Sequence, residues 1–140
     1  MSKIAVVYWS GTGNTEAMAT AVADGAKEKG AEVDLFTSEE FCACMMDEYD
    51  AVAFGCPAMG AEELEDSEFA PMFDGCKAEL SGKKIALFGS YGWGDGEWMR
   101  NWEEECNSLG AVMPCDFVIC NEAPGDDAVA ACKALGAALV

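Results

Sequence analysis

Short apolar runs alternate along the chain with segments whose apolar residues recur every three or four positions. Lys3–Trp9 (KIAVVYW) is continuous and rich in β-branched residues, the pattern of a strand buried on both faces. Asn14–Lys29 sets Met18, Val22 and Ala26 on one helical stripe and stops at Gly30, suited to the left-handed position past a helix end. Glu32–Phe36 reads as a shorter strand at an edge, and Asp50–Cys56 as another buried one. Ser67 can cap a helix that turns Phe69, Phe73, Cys76 and Leu80 inward, with Pro71 tolerated in its first turn. Lys84–Gly89 is a strand. Glu97–Leu109 is a helix with Met99, Trp102, Cys106 and Leu109 on one face, and Ala111–Cys120 is a last strand interrupted at Met113-Pro114-Cys115. Asp126 or Asp127 caps a final helix bearing Ala128, Cys132, Leu135 and Leu139.

Strands alternating with helices predict an α/β fold, a three-layer sandwich in which helices cover both faces of a five-stranded parallel sheet. Five parallel strands call for one more crossover helix between Ser38 and Met46, where the pattern is poor. No repeat or low-complexity linker divides the 140 residues, so residues 1–140 read as a single domain. Ligands of such sheets sit at the carboxyl ends of the strands, which directs attention to the loops there.

Composition narrows the function. Half of the residues are hydrophobic, which excludes a disordered chain, yet no apolar run reaches the ~18 residues that span a bilayer. Met1-Ser2-Lys3-Ile4 leads straight into strand-like sequence and not into a signal peptide, so a cytoplasmic protein is expected. Twenty-six acidic against eight basic residues give a formal net charge of −18. Such a surface repels nucleic acid and anionic membranes and favours basic partners. The chain has no histidine, which removes Ser-His-Asp and Cys-His catalysis, His-ligated zinc or haem, and an imidazole switch. Its eight cysteines contain no Cys-x-x-Cys pair, Cys42-Ala-Cys44 being the nearest approach. Reduced thiols packed as small apolar groups are expected, with no metal site.

The first loop, Ser10-Gly11-Thr12-Gly13-Asn14-Thr15, joins a strand to a helix. Its glycines let the backbone wrap around an oxyanion, its side chains donate hydrogen bonds, and the helix N-terminus adds oriented N–H groups. It lacks the lysine of a nucleotide triphosphate loop, and Glu16 stands where a dinucleotide fingerprint has its last glycine. One phosphate monoester suits it; the alternative is a plain strand–helix turn. The second loop, Pro57-Ala58-Met59-Gly60-Ala61-Glu62, and the third, Ser90-Tyr91-Gly92-Trp93-Gly94-Asp95-Gly96, bring Met59, Tyr91 and Trp93 to the same edge. A planar ligand stacked on Trp93 would account for an indole at a glycine-spaced tip, unless that indole folds back into the core. Together the loops fit a planar heterocycle with one phosphate, and flavin mononucleotide (FMN) is the natural candidate.

V-V-Y-W-S-G-T-G-N-T-E at 6–16, G-C-P-A-M-G-A-E-E-L-E at 55–65 and A-L-F-G-S-Y-G-W-G-D-G-E-W-M-R at 86–100 closely resemble the short-chain flavodoxins of anaerobic bacteria. The resemblance implies strand order 2-1-3-4-5, tight noncovalent FMN, and one-electron carriage between semiquinone and hydroquinone in place of ferredoxin. It implies a monomer that serves ferredoxin- or flavodoxin-dependent oxidoreductases, not an enzyme. By similarity, Ser10, Thr12, Gly13, Asn14 and Thr15 hold the phosphate, Trp93 and Met59 face the two sides of the ring, and Glu62 pairs with the flavin N3–H. The backbone of 91–96 meets the pyrimidine edge, and the Gly60–Ala61 peptide turns its carbonyl to N5–H on reduction. Pro57 and Ala61 replace a Ser and an Asp found in some relatives. The alternative is an FMN-dependent reductase or dedicated redox activator on the same fold. A signalling receiver domain would need clustered aspartates after the first strand and a lysine after the last, where this chain has Ser10-Gly11-Thr12 and Cys120-Asn121-Glu122.

No lysine, arginine or histidine before Arg100 answers the negative charge of full reduction in these loops, and Glu62, Glu63, Glu65, Asp66, Asp95 and Glu97 crowd the same edge. A strongly reducing second couple is therefore expected, together with a rim that orients the flavin edge toward basic patches.

Overall fold

A computed structural model describes residues 2–11, 13–59, 63–92 and 96–140. The first apolar run forms strand β1 (Lys3–Tyr8), buried from Ile4 onward. It lies between β2 (Glu32–Thr37) and β3 (Ala51–Gly55), with Val6 opposite Leu35 on one side and Ala53 on the other. Then follow β4 (Lys84–Tyr91) and β5 (Val118–Asn121), all pairs parallel, in the order 2-1-3-4-5. β2 is the half-exposed edge strand that its shorter pattern predicts.

Alternate strand residues point to opposite faces. Ala5, Val7, Val52, Phe54, Ile85 and Leu87 pack under helices α2 (Phe69–Cys76) and α3 (Glu97–Ser108). Ile4, Val6, Ala51, Ala53, Ala86 and Phe88 face α1 (Asn14–Glu28) and α4 (Asp126–Ala138). The α1 stripe of Met18, Val22 and Ala26 is buried, and Gly30 takes the positive φ of 88° expected past its end.

Five expectations change. No α-helix fills the connection from β2 to β3: 3-10 turns at Ser38–Glu40 and Ala43–Glu48 do. The Glu40 carboxylate accepts from the Thr37 N–H (2.9 Å) and hydroxyl, closing one turn early. Lys83 Nζ then ties up the carbonyls of Met46 and Tyr49. The last strand, read as Ala111–Cys120 with an interruption at Met113-Pro114-Cys115, is reduced to one bridge, Val112 to Lys84, and then β5, because Pro114 has no N–H to give the ladder. No side chain caps α4; Gly125 precedes it, and Asp126 and Asp127 sit in its first turn. Cys42 and Cys44, both exposed with Cα atoms 5.4 Å apart, form a disulfide, a separation two side chains can bridge. The remaining six cysteines are free, and burial pushes the Cys56, Cys106 and Cys132 thiols up to about 12.

The fifth correction concerns α2. Ser67 does not cap it; Glu65 does. The Glu65 carboxylate, 5 % exposed, accepts from the N–H groups of Glu68 (2.7 Å), Phe69 (2.9 Å) and Ser67 (3.0 Å) and from the Ser67 hydroxyl. Burial alone would raise its pKa, but these four hydrogen bonds outweigh it and hold the carboxyl below the usual range. Glu65 is thus a buried cap and not part of an acidic rim. A folded-state pKa below the unfolded one stabilises the protein above the unfolded pKa and ceases to do so as pH falls through the folded one. Glu65→Ala is expected to cost about 2 kcal/mol at neutral pH. Urea denaturation at neutral and at strongly acid pH should show the difference from wild type shrinking as pH falls.

Among the described residues no helix is long and apolar enough to cross a membrane, and no group of three acidic, thiol or imidazole side chains could hold a metal ion.

Candidate cofactor site

β1, β3, β4 and β5 end at a common edge, and a cleft of about 550 Å³ opens there. One end is bordered by the first loop, through Gly11 and Asn14. Gly13 adopts φ 93°, which a side chain would strain, and its N–H donates to Ser10 Oγ at 3.0 Å, closing the loop onto itself. The first turn of α1 points its free N–H groups toward this end. Gly11 and Asn14 line the cleft directly. Thr15 is buried, and its hydroxyl is engaged with the buried Ser90 hydroxyl at 3.0 Å. That bond ties the first loop to the end of β4; when Thr15 accepts from Ser90, its own hydroxyl proton stays available to a ligand.

The second loop brings Pro57, Ala58 and Met59 to the cleft. Ala58 N–H donates to the Ser90 carbonyl (3.0 Å), and Met59 and Glu63 exchange two backbone hydrogen bonds of 2.8 and 2.9 Å. Met59 is left 38 % exposed, the exposure expected of an apolar side chain with a ligand to cover it. From the third loop come Ser90, Tyr91 and Gly92. Tyr91 packs against the buried Trp98 (5.6 Å between rings), whose Nε1 donates to the Cys56 carbonyl at 3.2 Å. Gly96 is buried at the start of α3. The expectations placed on Thr12, Gly60, Ala61, Glu62, Trp93, Gly94 and Asp95 lie outside the described residues.

Three lining residues escape the sequence reading: Trp9, Glu122 and Ala123. Trp9 is the last letter of an apolar run, with nothing in its spacing to set it apart from core. Glu122 arrives because the Tyr91 carbonyl accepts from its N–H (2.7 Å) and from the Asn121 side chain (3.3 Å), fastening the β5 loop to the β4 loop. It is the single non-glycine residue at positive φ (59°) among those described. A non-glycine left-handed residue beside a ligand cleft is a signal that only the backbone carries.

The cleft suits FMN on its own terms. Its volume lies in the range of small-ligand sites, its walls are Trp9, Pro57, Met59 and Tyr91, and none of its described lining residues is cationic. A neutral glycine and hydroxyl loop at a helix start, beside an apolar cleft at the carboxyl edge of a doubly wound sheet, defines a mononucleotide-binding protein. Comparison with known proteins agrees. The family model described as Flavodoxin matches residues 6–135. Flavodoxin of Megasphaera elsdenii is 46 % identical over 135 residues, 96 % of each chain. Flavodoxin of Clostridium beijerinckii is 49 % identical over 108 residues, 77 % of this chain and 78 % of that one. The solution structure of two-electron reduced M. elsdenii flavodoxin superposes with a TM-score of 0.90 over 97 % of both chains. The chain belongs to the flavodoxin family, whose short anaerobic members it resembles throughout; it is an FMN-binding electron carrier.

Proposed function

We propose that this flavodoxin works on the more reducing of its two one-electron couples, substituting for ferredoxin as a monomeric, single-domain cytoplasmic carrier. FMN, when bound, supplies one-electron chemistry at its isoalloxazine ring. When FMN is bound, Ser10, Gly11, Thr12, Gly13, Asn14 and Thr15 would cradle the phosphate, Met59 and Trp93 would cover the ring faces, Glu62 would receive the N3–H, and the backbone of residues 91–96 would meet the pyrimidine edge. Pro57 and Ala58 wall the cleft, and the Gly60–Ala61 peptide would offer its carbonyl to the N5 side.

The observation that carries the low potential is a cleft with a carboxylate, Glu122, and no described cation among its lining residues. Negative charge added to the ring therefore meets an apolar wall and further negative charge, and both oppose it. Spectroelectrochemical titration of the holoprotein tests this. Two resolved one-electron steps, the second well below that of free FMN, are expected; a single two-electron step near the free value would refute the proposal.

The net charge of −18 points to oxidoreductases with basic docking patches as partners. Second-order rates of electron transfer from the reduced holoprotein to a basic acceptor such as ferricytochrome c are expected to fall steeply between low and physiological ionic strength. A flat salt dependence in stopped-flow measurements would remove electrostatic docking from the account.

A further inference from the structure

Trp9 belongs to two cavities at once. It walls the cofactor cleft, and it also lines a recess of about 180 Å³ behind the phosphate loop, together with Tyr8, Glu16, Ser38, Glu39 and Glu68. Its backbone is fixed by a 3.0 Å hydrogen bond from its N–H to the Gly55 carbonyl. Its ring is fixed at both ends by other means. A Cβ added to Gly11 would stand only 3.0 Å from Cη2 and 3.2 Å from Cζ3, so the six-membered ring lies tight under the phosphate loop. At the far end, Nε1 donates to Glu68 Oε2 at 3.1 Å, across 59 residues of sequence.

We infer that Glu68 is a positioning residue for the cofactor, holding the Trp9 indole as the shared wall of the phosphate loop and the cleft. The inference rests on FMN occupying this cleft. Glu68 stands at the start of α2, which Glu65 has already anchored. Its carboxyl meets the Glu39 carboxyl; that contact, then lost hydration, raises its pKa, while the Trp9 N–H opposes the rise. Other charges around the recess are also acidic. Glu16 from α1 accepts from the Tyr8 hydroxyl (3.1 Å), Glu40 is engaged by Thr37, and Glu65 lies before α2. No lysine or arginine lines the recess among the described residues. The Trp9 N–H favours the ionised form of Glu68, so the hydrogen bond to the indole is made with the carboxylate charged.

FMN affinity of the full-length protein, read from flavin fluorescence as the holoprotein is diluted, tests the inference. Glu68→Ala is expected to weaken FMN by about fivefold, the worth of one hydrogen bond, and Trp9→Phe by a similar factor. In the Trp9→Phe background Glu68→Ala should have no further effect. Glu68→Gln should restore wild-type affinity, because its amide oxygen still accepts from Trp9 and its NH2 donates to Glu39. An unchanged affinity in Glu68→Ala, an equal loss with and without the Trp9 indole nitrogen, or failure of Glu68→Gln to rescue would overturn the role of Glu68. Absence of FMN binding by the wild type would instead overturn the reading of the cleft.

Discussion

Replacing Glu63, Asp66, Glu97 and Glu122 together by glutamine or asparagine is expected to raise the lower potential of the holoprotein by on the order of 100 mV. A carboxylate roughly 10 Å from a developing negative charge opposes it by about 0.4–0.8 kcal/mol at an effective dielectric of 40–80. Four such groups give about 2–3 kcal/mol, and for a one-electron couple 59 mV corresponds to a tenfold change in equilibrium. Glu122 lines the cleft, Glu63 exchanges backbone hydrogen bonds with the cleft residue Met59, Asp66 follows on the second loop, and Glu97 opens α3 after the third. The upper couple, at which charge is balanced by proton uptake, should move much less. Neutralising Glu28, Glu32, Glu48 and Glu79, at the amino edge of the sheet, supplies the control, since screening suppresses charges beyond about 10 Å. Equal shifts from the two sets would mean that total charge and not its placement sets the potential. No shift from the first set would leave the apolar walls as the dominant cause.

The second large effect concerns the frame that carries the phosphate loop. Gly25 on α1 and Gly136 on α4 let the two helices touch backbone to backbone. A Cβ at Gly25 would lie 2.0 Å from the Lys133 carbonyl oxygen, and one at Gly136 would lie 2.0 Å from that of Val22. Neither contact can be relieved by turning a side chain, so the helices must move apart over Met18, Val22, Cys132 and Leu135. Gly25→Ala and Gly136→Ala are each expected to destabilise by about 3 kcal/mol in urea denaturation. The double variant should cost less than the sum, because one displacement relieves both. Since α1 begins at the phosphate loop, both should also weaken FMN. Gly75→Ala in α2, where a Cβ meets nothing within 4 Å, should be neutral or stabilising by up to about 1 kcal/mol.

The legibility of the chain follows the reach of each interaction. Strands with continuous apolar runs and helices with clean stripes were readable because their burial is periodic, and Lys3–Tyr8 and Met18-Val22-Ala26 differ little from their sequence patterns. The segment after Ser38 was not readable as 3-10 structure, since what stabilises it is Lys83, more than thirty residues away. Glu65 looked like one more surface acid, and only the fold shows it wrapped around the N–H groups of α2. The cofactor loops were legible because their chemistry is local: glycines, hydroxyls and a helix start lie consecutively at Ser10–Thr15. Trp9 and Glu122 were not, because each becomes a wall of the cleft through contacts with distant strands.

The central claim is that an uncharged loop grips a single phosphate while the adjoining cleft takes the ring. Parallel calorimetric titrations of the apoprotein with FMN and with riboflavin measure it most directly. Saturable one-to-one binding of FMN is predicted, with tryptophan fluorescence quenched and riboflavin weaker by about a hundredfold or more, the worth of two hydrogen bonds to a charged group. Equal affinities for the two flavins, or no heat with either, would contradict it.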